Sequence, residues 1–161
     1  MDLLHRIAVQ SRNGAIDPDA VEDTLEGFIF EHGKVIPGYG HRFHPIDPRA
    51  TKLLALVRNA QADGVVSGRY ADIGILIEKS LARRTGKRLP MNIDGATAAI
   101  YSELGFSPLL GRGLFILSRS VGILAHAIEQ TEQGGRIKGP MPKSIPYQYT
   151  GSKVRHLTPT R

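Results

Sequence analysis

The 161-residue chain has no cysteine, which excludes disulfides, thiolate metal sites and a cysteine nucleophile and makes an intracellular, cytoplasmic protein the plain expectation. Met1-Asp2 opens no signal-peptide pattern. The most apolar stretch, Leu114 to Ile128, is broken by Ser118, Arg119 and Ser120 and reads as too short to span a bilayer. Neither an internal repeat nor a low-complexity segment occurs, and no run sustains the two-residue alternation of a half-buried strand. Acidic residues are missing after Gly134, where Arg136, Lys138, Lys143, Lys153, Arg155 and Arg161 lie. The net charge of +6 therefore belongs to the tail, since 15 acidic residues balance the remaining basic ones. A basic tail can serve nucleic acid, an anionic cofactor or another subunit. Pro140, Pro142 and Pro146 and the lack of a recognised nucleic-acid module argue against the first.

What is present is helical. The length suits one domain with a core, or a domain plus an appendage. Leu3, Leu4, Ile7 and Ala8 share one helical face, and Asn13-Gly14 ends that segment, which reads as the tail of a helix begun earlier. Asp17-Pro18-Asp19 starts a helix with a Val21, Leu25, Phe28 and Ile29 stripe ending near Gly33. A third helix, from Arg49 to Ala62, would bury Leu53, Leu54, Leu56 and Val57. A fourth, from Arg69 to Arg84, uses Ile73, Ile75, Leu76, Ile77 and Leu81 and stops at Gly86. Asp94 reads as the cap of a helix through Leu104, and Leu109 to Gln133 is the longest helical stretch. Its Gly111, Gly113 and Gly122 weaken it intrinsically and would admit another backbone. The fold class expected is all-α.

Between the second and third helices runs Lys34 to Arg49. Val35 and Ile36 lead into Pro37-Gly38 and Gly40, a turn that exposes backbone to a ligand. His41 follows at once and can give or take a proton near neutral pH. Asp47-Pro48 reads as a cap with proline at the first helical position. Arg49 in the first turn opposes the helix dipole, so an anion at the helix start would explain it better.

Gly-Tyr-Gly-His-Arg at 38–42 with Asp47-Pro48-Arg49-Ala50 resembles the signature of the citrate synthase family, which makes and breaks C–C bonds on acyl-CoA thioesters. Pro90-Met91-Asn92-Ile93-Asp94-Gly95 resembles the stretch carrying that family's catalytic aspartate. Leu117 to His126 resembles its late carboxylate-binding helix. These matches occur in family order and cover most of the chain from Lys34 to Gly151. The Asn-Ile-Asp-Gly and Gly-Arg-Ile-Lys-Gly-Pro wording resembles citryl-CoA lyase-like members more than ordinary citrate synthases. The resemblance implies that residues 1–107 are the family's small domain and that 108–161 are a final helix and tail belonging to a large domain otherwise absent. A further family histidine would fall at or before Met1; His5 comes too late and lacks the glycine-rich surroundings to replace it.

By this resemblance His41 acts on the carbonyl or hydroxyl oxygen of an oxo-acid such as oxaloacetate. Asp94 is the general base toward the methyl carbon of an acyl-CoA. Arg49 and Arg119 grip carboxylates. Val35, Ile36, Gly38 and Gly40 offer backbone to CoA, which enters as a substrate, with no permanently bound cofactor. Plain alternatives stand beside each role: a backbone-satisfied turn histidine, a simple helix cap at Asp94, an ordinary glycine turn, and protein or dimer pairing for the arginines. Arg112, Arg119 and His126 recur on one face of an apolar helix, and buried arginines require anions. His41 and His44 alone are too few ligands for a metal, and none is expected. Two departures from the family pattern are a spacing from His41 to Arg49 one residue short and Gly139 where many citrate synthases carry an arginine. Arg136 or Lys138 would be the substitutes there. A homodimer or higher oligomer is expected, because the long apolar helix needs a partner; nucleic acid and membrane are not expected partners. The competing reading is a non-catalytic small-domain fragment that binds CoA or oligomerises without turnover.

Overall fold

Six α-helices account for the secondary structure among the described residues of the computed structural model, which are 1–11, 15–134, Pro142, Ser144 and Lys153. They are α1 (Asp2–Gln10), α2 (Pro18–His32), α3 (Pro48–Ala62), α4 (Arg69–Thr85), α5 (Ile93–Glu103) and α6 (Pro108–Glu132). The expected all-α class holds. Asn13 and Gly14, and the tail residues Arg136, Lys138 and Gly139, lie outside the described residues.

Local chemistry sets most helix ends. Asp17 and Asp47 each precede a proline and accept the N–H two residues on, Asp19 at 3.0 Å and Arg49 at 3.1 Å. Gly86 ends α4 in the left-handed conformation at φ 66°. The start of α4 has a less local origin. Its cap is Gly68, which has no side chain, and the carboxylate of Glu103 at the far end of α5 accepts from Gly68 N at 3.0 Å and Tyr70 N at 2.6 Å.

By Cα packing the chain divides into two units, Met1–Ser120 and Val121–Arg161. The core lies in the first. Leu3, Leu4 and Ile7 of α1, Val21 and Leu25 of α2, Ile73, Ile77 and Leu81 of α4 and Ala99 of α5 pack around Ile36. A smaller cluster joins Ala50 of α3 to Met91 and to Ala96 of α5. The α3 stripe is narrower than its apolar spacing suggests. Val57 is buried, whereas Leu56 is 61% exposed because the side toward α5 is the one carrying Ala50 and Leu53.

The longest helix departs most from expectation. α6 buries only Gly111, and Leu109, Ile116, Leu117, Val121 and Leu124 are exposed. Arg112 and Arg119 are exposed too, so they need no buried anions. Gly111 receives the thioether of Met1 rather than a backbone, and Gly113 and Gly122 face open space. At 25 residues α6 is long and apolar enough to cross a membrane by length and composition, because the helix extends beyond the Leu114 to Ile128 run at both ends. In the second unit the described helix is the end of α6, where His126 Nδ1 lies 3.2 Å from Glu129.

Candidate functional site

The glycine turn before α3 is fastened onto the start of α5. Asn92 N–H donates to Gly38 O at 2.9 Å, Gly40 N–H donates to Pro90 O at 2.7 Å, and Asn92 Nδ2 donates to Gly40 O at 2.7 Å. Gly38, at φ +94°, then lies so close to Gly95 that a Cβ on Gly95 would come within 2.4 Å of Gly38 O. Both glycines are required for the turn to reach α5.

Asn92 is the α5 cap, its Oδ1 accepting from Asp94 N at 2.9 Å and Gly95 N at 3.3 Å. Capping at Asp94 is thereby corrected: the helix begins at Ile93, two residues earlier than a cap at Asp94 implies, because Asn92 supplies the acceptor that Asp94 was assigned. The Asp94 carboxylate is left exposed and makes no hydrogen bond or ion pair among the described residues. It projects from the first turn of α5, and Asp94, Gly38 and Gly95 line one cavity of about 500 Å³ with Tyr101, Arg112 and Phe115.

Asp47, 1% exposed, is the centre of the arrangement. Its Oδ1 accepts from Arg49 N at 3.1 Å and Arg49 Nε at 3.0 Å; its Oδ2 accepts from Arg49 Nη2 at 2.9 Å and from Ile93 N at 3.0 Å. Bonding to the Arg49 guanidinium, aided by the two backbone N–H groups, holds the Asp47 carboxyl well below the usual carboxylate range against the opposing effect of burial. The Asp47 carboxylate in turn raises the Arg49 pKa. The anion that explains Arg49 at the start of α3 is therefore the protein's own cap. Held along one edge, the guanidinium keeps its other N–H groups outward.

Those outward donors meet His41. His41 Nδ1 accepts from Phe43 N and His44 N, each at 3.1 Å. A ring nitrogen that accepts carries no proton, so in the neutral imidazole the hydrogen is on Nε2. Nε2 stands 3.5 Å from Arg49 Nη2. With that tautomer both nitrogens are donors, side by side and able to serve a common oxygen acceptor.

The structure thus brings His41, Arg49 and the Asp94 turn together around Asp47. Arg119 is outside this cluster, its guanidinium over its own helix's Phe115 ring at 5.8 Å. The Ile36 side chain is in the core at 5% exposure and Val35 is 83% exposed. The Gly40 N–H and the carbonyls of Gly38 and Gly40 are engaged within the protein, and Ile36 and Gly38 are buried, so of the four residues Val35 is the exposed one. Asn92 and the second function of Asp47 were missed from the sequence. The available signal was an Asn directly before Ile93-Asp94, in the cap position of an apolar helix.

Over 146 residues the chain is 30% identical to a citrate synthase of Haloferax volcanii, covering 89% of this chain and 35% of that protein. Its fold is similar to that of the citryl-CoA lyase of Hydrogenobacter thermophilus, with a TM-score of 0.66 and 32% identity over 98% of this chain and 57% of the lyase. A citrate synthase of Thermoplasma acidophilum, solved as a ternary complex with carboxymethyl coenzyme A and oxaloacetate, gives a TM-score of 0.60 at 27% identity, covering 98% of this chain and 40% of that one. The chain thus spans about a third of the length of the curated Haloferax relative. Residues 1–141 match the family model described as citrate synthase, C-terminal domain, and on that match this chain belongs to the citrate synthase family.

Proposed function

We propose that this protein acts in C–C bond formation or cleavage between an acyl-CoA and an oxo-acid, with acetyl-CoA and oxaloacetate as substrates. The observation that carries the reading is the placement of His41 Nε2 3.5 Å from Arg49 Nη2, beside the Asp94 turn that Asp47 fastens through Ile93 N. In the forming direction Asp94 takes a proton from the carbon next to the thioester carbonyl. That carbon attacks the keto carbon of the acid, and the negative charge arising on the keto oxygen is met by His41 Nε2–H. Arg49 holds a carboxylate of the acid through the N–H groups that Asp47 leaves free. Cleavage runs the same steps backward, with Asp94 returning the proton.

Arg119 is the second carboxylate anchor in this reading, and Val35, Ile36, Gly38 and Gly40 are the CoA contacts. The thioester comes and goes as a substrate, with no resident cofactor. The working form is a homodimer or higher oligomer in the cytoplasm. A thiol-release assay with acetyl-CoA and oxaloacetate, which reads the CoA freed when water hydrolyses the thioester of the citryl-CoA formed, run beside citryl-CoA cleavage to acetyl-CoA and oxaloacetate, tests the chemistry. Turnover that drops by about a hundredfold or more in Asp94→Asn, with CoA binding retained, is the expected result for a general base. Equal rates in wild type and Asp94→Asn would refute the role of Asp94. The exposure of Arg119 favours the second reading, a fragment that binds without turnover; CoA binding with neither reaction detectable is its signature.

A further inference from the structure

A single buried carboxylate joins the two halves of the proposed site. Its Oδ1 is taken up wholly by Arg49, whereas its Oδ2 is shared between Arg49 Nη2 at 2.9 Å and Ile93 N at 3.0 Å. Ile93 adjoins Asp94 in the sequence, so the same oxygen touches the group proposed to hold the acid and the turn that carries the proposed base. A cap alone would need only the bond to Arg49 N. The bonds to Nε and Nη2 fix the guanidinium rotamer, and the bond across 46 residues fixes α5 against α3.

We propose that Asp47 is a positioning residue that sets the separation of Arg49 from Asp94, so that an oxo-acid carboxylate is bound at a fixed distance from the carbon acid. This inference rests on the function proposed above. It gives Asp47 a contribution to oxo-acid affinity that passes through Arg49. An unrestrained guanidinium would swing among rotamers and bind the acid with a greater entropy loss.

The test is a double-mutant cycle on the full chain, read as the Kd of oxaloacetate by titration calorimetry. Asp47→Asn keeps an acceptor for the cap but not the charge that holds the guanidinium. It is expected to weaken oxaloacetate about tenfold, the loss of roughly one charge-assisted hydrogen bond, and to move the Kd of CoA less than about twofold, the scatter expected for an uncoupled site. Arg49→Gln is expected to weaken oxaloacetate by about tenfold or more, and adding Asp47→Asn to it should weaken it no more than about twofold further. Losses that multiply in the double variant, or an Asp47→Asn protein with wild-type affinity, overturn the inference while leaving the proposed function intact. A folded wild type that does not bind oxaloacetate refutes the function and the inference with it. Should Asp47→Asn unfold by circular dichroism, Asp47→Ser, which retains a good cap acceptor, enters the cycle under the same criteria.

Discussion

Gly38 and Gly95 meet main chain to main chain, and that contact decides whether the His41 turn can sit on α5 at all. A methyl group on Gly95 would come within 2.4 Å of Gly38 O and 2.5 Å of Met91 Cγ. Gly95→Ala is expected to destabilise the protein by about 1–3 kcal/mol through overpacking, measured as a lower urea midpoint. Gly113→Ala, at a helical position facing open space, should be stabilising by about 0.5–1 kcal/mol. Carboxylates act at this scale as well. Bonding to Arg83 in the main holds the Glu22 pKa down to about 2 from an ordinary value of 4.5. A carboxyl whose folded pKa is depressed favours folding above its unfolded pKa and loses that contribution as pH falls toward the folded one. For Glu22 the window runs from 4.5 down to about 2. Glu22→Gln should be less stable than wild type at pH 6 by on the order of 1 kcal/mol, allowing for solvent screening. That difference should shrink when the unfolding measurement is repeated at pH 3. Burial, followed by the Glu78 charge, pushes the Tyr39 phenol up, so it stays protonated and donates to Gly74 O at 3.1 Å.

At the level of elements, two carboxylates from distant parts of the chain start two helices. Asp47 bonds Ile93 at the head of α5, and Glu103 at the end of α5 bonds Gly68, Tyr70 and Ala71 at the head of α4. The α4 junction also receives Ser67 Oγ at 2.9 Å. Replacing Glu103 with Ala should cost about 1–2 kcal/mol, the range for a lost helix cap, and should raise hydrogen exchange at Tyr70 and Ala71 before it does so in α1. Where helices are capped by their immediate neighbours, as at Asp17 and Asp47, the sequence announces the start. The start of α4 carries no such announcement, because Gly68 has no side chain and its acceptor comes from 35 residues away. Periodicity likewise identified α3 but not which of its leucines face inward. Leu56 is exposed because the direction of a stripe depends on where α5 lies.

For the whole molecule, the unsolved surface is α6. Ile116, Leu117, Val121, Ile123 and Leu124 are all more than half exposed along one helix, an apolar patch of the kind that drives association. Light scattering is expected to show a species larger than a monomer. Leu117→Glu should shift the distribution toward the monomer while leaving the helical circular dichroism at low temperature unchanged. A wild-type protein that stays monomeric over a wide concentration range would contradict the oligomer.

Local sequence chemistry was enough to fix most helices, their proline and glycine boundaries and the sharp turn before His41. Each of these depends on chemistry within about four residues, the reach of a helical hydrogen bond. What the polar side chains face came from packing. It gave Arg49 an internal anion, moved the α5 cap from Asp94 to Asn92, and left Arg119 in the open. The bond from Asp47 to Ile93 spans 46 residues, and such a contact exists only once packing has brought α3 and α5 side by side.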